Sequence, residues 1–312
     1  MDMWHAMASL VGDDCGFHAN GQICVAETPA ALAKLEARVA GLRAAGYTHE
    51  EIIGPDELRR LLPELSPHCL GASIARRDGA ADPHRALRAF RRSAEAAGVT
   101  IIEHCGVNGL EQQGQDWQVQ TDAGVYTAPC VINAAGAWSA RIAAMAGDQI
   151  PLSAKSSMMM VSERLRPFIK PVVAIMGRSL SFKQSDQGTL VIGGGLQGIP
   201  DLDRETSTAR MRVLAKGAHA ATDLFPAVRD IRIVRVWAGL EAKTEDMLPV
   251  VGASPNAPGV LHAFGFSGHG FELVPVVGAA LADLALRGQT ARAIGNLQAA
   301  RLMQPPAKEQ AS

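Results

Sequence analysis

The sequence lacks closely spaced cysteines, and this absence excludes the commonest frameworks built on that residue. Its five cysteines are an odd number, lie far apart and include no Cys-x-x-Cys motif. A disulfide scaffold is therefore not predicted. A metal site is not predicted either, because the nine histidines show no ligand pairing at helical spacing. Free cysteines suit a reducing compartment, so we expect a cytoplasmic protein.

Long apolar runs and blocks of like charge are also missing. The longest nearly apolar run, residues 273–286, is shorter than the ~20 residues that a membrane helix needs, and it contains Asp283. The start of the chain has no basic region followed by an apolar core, so no signal peptide is predicted. The 30 basic and 31 acidic residues give a net charge of −1. We therefore expect no nucleic-acid partner and no membrane span.

The pattern of predicted helices and strands changes along the chain. Asp82-Pro83 is typical of a helix start, with the aspartate as N-cap. Residues 151–236 are rich in strand-like segments separated by polar breaks, and residues 259–286 have the pattern of a strand followed by a helix, near 276–286. The order is mixed, then α/β, then β-rich, then α/β. It predicts two domains, each assembled from separate segments.

Two further local patterns predict strands. Residues 17–26 have the pattern of a β-hairpin in which Asn20-Gly21 forms the turn. Residues 99–102 form a short apolar run after a helix, which is typical of half of an α/β unit. We therefore expect a hairpin near the start of the chain and a strand directly after the helix that begins at Pro83.

The segment 265–271, Gly-Phe-Ser-Gly-His-Gly-Phe, places three glycines between an apolar run and a helix-like segment. Glycine permits close backbone approach and positive φ. A helix that begins just after such a loop directs free N–H groups toward whatever lies in front of it. The pattern predicts a place to hold an electron-rich ligand. An ordinary strand-to-helix turn fits the spacing equally well.

A second glycine-rich segment, residues 193–198, matches G-x-G-x-x-G and follows a strand. Dinucleotide binding by this motif requires a helix to begin there. The next residues are instead Ile-Pro-Asp-Leu-Asp, which indicate a loop. We interpret 193–198 as a glycine-rich strand end near a ligand or another backbone segment. A nicotinamide enzyme that uses this motif is the weaker alternative.

Five motifs in order give the chain a resemblance to a known family. They are Asp82-Pro83, the segments 131–139 (Val-Ile-Asn-Ala-Ala-Gly-Ala-Trp-Ser) and 237–240 (Trp-Ala-Gly-Leu), Asp246 with Pro249, and the segment 268–271 (Gly-His-Gly-Phe). The chain resembles the D-amino-acid-oxidase-type FAD-dependent oxidoreductases. Within them it is most similar to sarcosine oxidase and its β-subunit-like relatives, glycine oxidase and hydroxyproline dehydrogenase. The similarity runs from Trp4 to about Arg301.

The resemblance implies a fold class that combines α/β and α+β parts. A Rossmann-like FAD-binding domain of the glutathione-reductase type would be joined to a β-rich substrate domain, and both would be discontinuous. We expect the FAD-binding domain over 83–150 and 239–304, the substrate domain over 1–82 and 151–238, and a tail over 305–312.

One departure from the family is large. Its members begin with a strand, a G-x-G-x-x-G turn and a helix that hold the FAD pyrophosphate, followed by an acidic residue for the ribose, and this chain has none of them. We therefore expect a truncated FAD-binding domain that lacks its first βαβ unit, at least ~30 residues. Loss of the pyrophosphate cradle would weaken FAD binding by the chain alone.

The resemblance also implies which residues meet the cofactor, FAD. The adenosine-diphosphate side would be closed by five residues, with the first at the adenine: Val107, Ala134, Ala135, Gly136 and Trp138. The isoalloxazine ring and ribityl chain would lie against Gly239, Gly268, His269, Gly270 and Phe271. Backbone N–H groups and a helix N-terminus near the flavin would stabilise the anion formed on reduction.

Three residues are candidates for a role in catalysis: His269, Glu272 and Lys243. His269 would contact flavin or substrate, although a lone loop histidine also suits a structural role. Glu272 stands where oxygen-using sarcosine oxidases place a lysine. The alternative is a purely structural role, because an acidic residue is favourable at a helix N-terminus. Glu241 replaces an arginine that would clamp a substrate carboxylate in glycine-oxidase-like members, and Lys243 or Arg178 would take over that role.

The resemblance thus implies an FAD-dependent enzyme that oxidises the C–N bond of a small amine or secondary amino acid to an imine, by hydride transfer to flavin. A dehydrogenase fits the residues better than an oxidase, and further electron-transfer subunits are the expected protein partners. The alternative is a non-catalytic remnant or interaction subunit that uses only the substrate domain.

Overall fold

The computed structural model describes residues 1–303, which form two compact units, each discontinuous along the chain. The first unit consists of Met1–Ala97, Ser156–Ile199 and Ser207–Gly239; the second consists of Gly98–Lys155, Pro200–Thr206 and residues 240–303. The predicted domain boundaries at 82/83, 150/151 and 238/239 differ in detail from these limits. The assignment of FAD-binding and substrate domains stays a prediction. The predicted tail, 305–312, lies outside the described residues.

The helices and strands are numbered here in chain order within residues 1–303. The α-helices are α1 (Asp2–His5), α2 (Met7–Val11), α3 (Pro29–Ala44), α4 (Pro55–Leu61), α5 (Pro83–Ala96), α6 (Ser139–Met145), α7 (Met211–Leu224) and α8 (Gly270–Arg287). Short 3-10 turns cover Gly136–Trp138, Pro226–Val228, Gly295–Leu297 and Ala299–Leu302. The strands are β1 (Gln22–Ala26), β2 (Glu51–Ile53), β3 (Gly71–Ala75), β4 (Val107–Gln113), β5 (Asp116–Thr121), β6 (Gly124–Ala128), β7 (Val131–Asn133), β8 (Ser153–Arg164), β9 (Val172–Ile175), β10 (Arg178–Gln184), β11 (Thr189–Gly193), β12 (Ile199–Asp201), β13 (Thr206–Thr208), β14 (Ile233–Lys243), β15 (Val250–Ala253) and β16 (Val260–Phe264). Within this part of the chain, no helix combines the length and the hydrophobicity that crossing a bilayer requires.

Side-chain caps fix the starts of two helices in the first unit. The Thr28 hydroxyl accepts a hydrogen bond from the Ala31 N–H at 3.1 Å, at the start of α3. The Asp82 carboxylate accepts from the N–H groups of His84 at 2.8 Å and Arg85 at 3.1 Å, at the start of α5. In both helices a proline holds the first position, where no N–H is required. The predicted helix start at Asp82-Pro83 is confirmed.

The first unit is built around an eight-stranded sheet with the order β14-β8-β11-β10-β9-β1-β3-β2. Side chains alternate between the two faces of a strand, so Met158 and Met160 of β8 both enter the main core. Helix α7 contributes Leu214 and Leu224 to the same core. The rings of Phe182 and Phe225 stack there with centroids 4.7 Å apart.

The second unit contains two three-stranded sheets. Strands β4, β5 and β6 form an antiparallel meander. The other sheet has the order β15-β16-β7, with β15 antiparallel and β7 parallel to β16. Helix α8 buries Val277 and Leu281 against Val251 and Leu261 of this sheet. The predicted strand and helix within 259–286 are confirmed, with the helix beginning at Gly270.

The two strand predictions from local patterns are wrong. Strand β1 pairs with β3 on one side and β9 on the other, so residues 17–20 form no hairpin arm, and His18 bridges Ala80 instead. Residues 99–102 belong to no strand of the described chain, and Val99 is 52% exposed. An apolar run becomes a strand only where a partner is available, and partners distant in sequence decide this.

Candidate functional site

Two parallel strands of the second unit end side by side. In the register of β7 and β16, Val131 faces Val260 and Asn133 faces His262. Parallel strands place their carboxyl ends at one edge of a sheet, and this edge is where open α/β sheets bind ligands. The segments that follow the two strands, 134–138 and 265–269, are therefore neighbours. These segments contain most of the residues predicted to meet a cofactor.

Asn133 organises the first of these loops. Its buried side chain accepts a hydrogen bond from the Ala135 N–H through Oδ1 at 3.3 Å, and donates through Nδ2 to the Ser139 carbonyl at 2.9 Å. Gly136 follows with φ of 56°, and a Cβ built there would meet no atom within 4 Å. The loop thus presents backbone and open space rather than side chains.

A fully buried histidine–aspartate pair lies at the ends of the two strands. His262 Nε2 is 2.8 Å from Asp148 Oδ2, and both side chains are 0% exposed. The other Asp148 oxygen accepts from Asn256 Nδ2 at 2.9 Å, and Asn133 Nδ2 lies 3.4 Å from His262 Nδ1. Because the Asn133 amide donates to Nδ1, this arrangement assigns the imidazole proton to Nε2, facing the carboxylate. The network ties β7 to β16 where the two loops begin.

The second loop has a left-handed backbone at three positions, Gly265, Ser267 and Gly268, with φ of 70°, 56° and 101°. Ser267 is the exception among them, since a non-glycine residue in this region costs about 1–2 kcal/mol. Its buried hydroxyl donates to the Gly265 carbonyl at 3.1 Å and accepts from the Thr244 N–H at 3.4 Å. These contacts hold a conformation that the loop would otherwise leave.

The end of β14 lies against this second loop. Lys243 pairs through its backbone with Phe266, and the Ser267 N–H donates to the Ala242 carbonyl at 3.2 Å. Side chains alternate along a strand, so Glu241 and Lys243 share the face opposite to the buried Ala242. Lys243 is therefore adjacent to the loop, as its predicted role requires.

The turn after β14 is fixed by Asp246. Its two carboxylate oxygens accept hydrogen bonds from the Arg301 guanidinium at 2.7 and 3.3 Å. These bonds, with a backbone bond from Leu248, lower the pKa of Asp246 to about 2. Asp246 therefore stays ionised at neutral pH and shapes the backbone.

His269 and Glu272 form an ion pair at the start of α8, with Nδ1 2.9 Å from Oε1. The hydrogen bond to Glu272 is the main reason that the pKa of His269 is raised, and the charge of Glu241 acts in the same direction. Partial burial and the charge of Lys155 oppose the shift. The site therefore carries an imidazolium that persists to higher pH than that of an ordinary histidine.

Replacing Glu272 by glutamine is expected to lower the pKa of His269, because a neutral amide cannot stabilise the imidazolium. The imidazolium is present below the raised pKa and is lost as pH rises through it, so the variant should lose it at lower pH. NMR titration of the histidine ring resonances measures this. Glu245→Gln is the matched control, because Glu245 does not contribute to the pKa of His269. An unchanged His269 titration in Glu272→Gln would contradict the pairing.

Most of the predicted site residues lie in the two loops or adjoin them: Ala134, Ala135, Gly136, Trp138, Lys243, Gly268, His269, Gly270, Phe271 and Glu272. Trp138 is anchored by its indole N–H, which donates to the Leu202 carbonyl at 3.1 Å. Val107 lies elsewhere in the second unit, paired with Thr121 in the meander. Gly239 is the last residue of the first unit, and a Cβ there would meet no atom within 4 Å. The cofactor and catalytic roles of all these residues stay predictions.

Sequence reasoning missed His262, Asp148 and Lys155. His262 interrupts the buried strand Val-Leu-His-Ala-Phe, and a buried titratable residue needs a polar partner. That signal indicates that His262 has a polar partner, but it does not identify the partner, because Asp148 lies 114 residues away. The sequence around Lys155 gives no comparable signal. Lys155 lowers the pKa of His269 only because the folded strand β8 places its charge nearby.

The glycines of 193–198 serve close packing. β11 ends at Gly193 and β12 begins at Ile199, so no helix follows the motif, as expected, but residues 199–201 form a short strand instead of the predicted loop. A Cβ at Gly194 would overlap backbone atoms of Leu180 and Ser181, and one at Gly193 would overlap the Met159 sulfur. These glycines therefore let the strand end approach its neighbours, and dinucleotide binding is not needed to explain them.

Comparison with known proteins gives a consistent result. The family model described as "FAD dependent oxidoreductase" matches residues 1–284. The sarcosine oxidase subunit beta of Rhizobium meliloti is 30% identical over 70% of this chain and 52% of its own length. The mitochondrial sarcosine dehydrogenase of Homo sapiens is 27% identical over 88% of this chain and 31% of its own length. Among solved structures, L-proline dehydrogenase from P. horikoshii has a TM-score of 0.88 and 26% identity, over 96% of this chain and 80% of that one. The structural match confirms the predicted mixed fold class. The chain spans about half or less of the length of the two curated relatives, the sarcosine oxidase subunit beta and the sarcosine dehydrogenase.

Proposed function

Because the chain belongs to the family of FAD-dependent oxidoreductases, we propose that it oxidises the C–N bond of a small amine or secondary amino acid to an imine. The family match confirms the resemblance found in the sequence. The observation that carries the proposal is the chemistry in the relatives' names, because sarcosine and L-proline are both secondary amino acids. The imine would then hydrolyse in water.

The strand edge of the second unit suits FAD. Gly136 and Gly268 leave room beside the backbone: a Cβ at Gly268 would meet only a Glu241 oxygen, at 4.0 Å. The N-terminus of α8 follows directly and favours negative charge in front of it. Segment 134–138 would hold the adenosine-diphosphate side, and segment 268–271 the isoalloxazine side. Bound FAD would supply the two-electron acceptor that takes a hydride from the α-carbon of the amine.

The charged side chains beside the second loop would position the substrate. Lys243 is the candidate to bind a substrate carboxylate. Arg178 is not, because its guanidinium is already held by two carboxylates, Glu27 at 3.0 Å and Asp223 at 2.9 Å. Glu272 would act through His269, by keeping the imidazole protonated, and the Nε2–H of the imidazolium would donate a hydrogen bond next to the loop.

We propose a dehydrogenase rather than an oxidase. The family resemblance places a lysine at the position of Glu272 in oxygen-using members, whereas here the ion pair of Glu272 with His269 has no net charge. A neutral pair attracts the anion formed when O₂ takes an electron only weakly. Electrons would pass to a separate carrier. A further electron-transfer subunit is consistent with the name of the relative called subunit beta.

The decisive experiment adds FAD to the purified chain. At FAD concentrations high enough to saturate a weak site, we expect the absorbance bands of protein-bound flavin, bleaching of these bands by sarcosine or L-proline without oxygen, and faster reoxidation by an artificial acceptor than by air. A chain that binds flavin which no amine reduces would contradict the proposal. A chain that binds no flavin would favour a non-catalytic or interaction subunit.

A pair of variants tests whether Gly239 faces the flavin. Gly239 and Gly278 both lack positive φ, and a Cβ at either position would meet no atom within 4 Å. Gly239→Leu should therefore fold normally and weaken FAD binding about tenfold or more, because the side chain would fill the space that the ligand needs. Gly278→Leu in α8 is the matched control. Equal FAD affinity in both variants would remove Gly239 from the site.

A further inference from the structure

A groove of about 480 Å³ lies on the α7 side of the first unit. One wall is the start of β10 with residues 195–197, and the other is one side of α7 with Arg210 just before it. Its volume falls in the range of about 300–1,000 Å³ that is typical of small-molecule sites. None of the residues predicted to meet FAD lines it.

Close packing builds this groove. A Cβ at Gly217 of α7 would lie 3.1 Å from Leu196 Cδ2, so the missing side chain lets the helix approach the loop. Leu196, which is 3% exposed, forms an apolar floor together with Val213. On the opposite wall, a Cβ at Gly195 would lie 3.0 Å from Ser179 Oγ. The two glycines bring helix, loop and strand together and keep the groove open.

The cations that line the groove differ in their pairing. Arg178 at one end is neutralised by its two carboxylates, and His219 Nε2 lies 3.5 Å from one of them, Asp223. Within the described part of the chain, Arg210 and Lys216 have no ion-pair partner. The groove therefore has one end whose cation is paired with carboxylates and one end with two positive charges that no described residue compensates.

Helix geometry sets the spacing of these two charges. Arg210 and Lys216 are six positions apart, which corresponds to about 9 Å along the axis. Val213 lies between them on the same side and also lines the groove. A ligand along this wall would meet a guanidinium, an apolar side chain and an ammonium in turn. Guanidinium and ammonium groups are the donors that proteins use for phosphate oxygens.

We propose that this groove binds a phosphate-bearing small molecule. Its phosphates lie beside Arg210 and Lys216, and its uncharged part lies over Leu196 and Val213. Unpaired cations in a concave site concentrate anions, whereas a purely apolar ligand would leave both charges without a partner. The site is separate from the residues proposed to hold FAD, so it would serve a second ligand.

Calorimetric titration of the FAD-saturated chain with ADP, AMP, pyrophosphate and inorganic phosphate tests the proposal. We expect ADP to bind, pyrophosphate to compete with it, and Arg210→Gln and Lys216→Gln each to weaken ADP binding about tenfold or more. Arg212→Gln is the matched control, because Arg212 is an exposed residue of α7 that does not line the groove. Pyrophosphate binding as tightly as ADP would show that no uncharged part of the ligand contacts Leu196 and Val213, and would contradict that half of the proposal.

Three results would overturn the proposal: no binding of any of the four probes by the folded chain, equal weakening in Arg212→Gln, or displacement of ADP by FAD. If the chain binds no flavin, the same titration is carried out without it, and the groove variants still decide the result. Flavin absorbance tests the proposed function, and the charge variants test the groove. The two can therefore fail separately.

Discussion

Replacing Asp148 by alanine is expected to lower the free energy of unfolding by about 3–5 kcal/mol, because two hydrogen bonds to a charged group are lost and each contributes about 1.5–3 kcal/mol. Its carboxylate accepts hydrogen bonds from His262 Nε2 at 2.8 Å and Asn256 Nδ2 at 2.9 Å, and it is completely buried. Its removal would leave the His262 N–H buried without a partner, and a buried unsatisfied polar group is strongly unfavourable. Urea denaturation, followed by the fluorescence of Trp117 and Trp138 in the same unit, measures the change.

The matched control is Asp203→Ala in the same unit. Asp203 forms an ion pair with Arg141, but its side chain is 87% exposed. Exposed pairs contribute about 0–1 kcal/mol, since water solvates both charges when the pair is broken. Equal destabilisation by Asp148→Ala and Asp203→Ala would show that the buried network does not support the strand ends.

Local features of the fold could be predicted from the sequence because their causes are local. Asp82 and Pro83 start α5, since a carboxylate accepts from the first N–H groups and proline suits the first helical position. The neighbouring positions of His269 and Glu272 at the start of α8 likewise place the two side chains within reach. Such signals require no knowledge of the rest of the chain.

The wrong predictions and the missed contacts depend on residues that are far apart in the sequence. Strand β1 pairs with β9, about 150 residues further along, and so the local hairpin pattern at 17–26 had no influence on its partner. The pairing of His262 with Asp148 crosses 114 residues. The two site loops lie close together because β7 pairs in parallel with β16. The sequence of neither strand specifies this pairing.

The motif resemblance supplied part of this missing information. The resemblance assigns residues 134–138 and 268–271 to one cofactor without any knowledge of how their strands pair, because the motifs occur in the family's order. The resemblance could not supply what is particular to this chain. Lys155 beside His269, and Arg210 with Lys216 in the groove, follow from side-chain positions alone.

Gly194→Ala is expected to destabilise the first unit by about 2–5 kcal/mol. The residue has φ of 85°, which costs about 1–2 kcal/mol for a residue with a Cβ. The added Cβ would also overlap backbone atoms of Leu180 and Ser181, which cannot rotate away as a side chain could. Separating the β10 and β11 backbones adds about 1–3 kcal/mol, as overpacking does elsewhere. Urea denaturation of the purified variant gives the total.

Gly177→Ala separates the two contributions. Gly177 has φ of 88°, but a Cβ there would meet no atom within 4 Å. It should therefore show only the backbone penalty of about 1–2 kcal/mol. The difference between the variants then measures the close approach at Gly194.

If 193–198 were instead a nucleotide-binding turn, its glycines would be required by the ligand. Gly194→Ala would then match Gly177→Ala in stability and lose affinity for NAD(H). Unequal stability, with no NAD(H) binding by either the wild type or the variant, assigns the glycines to packing.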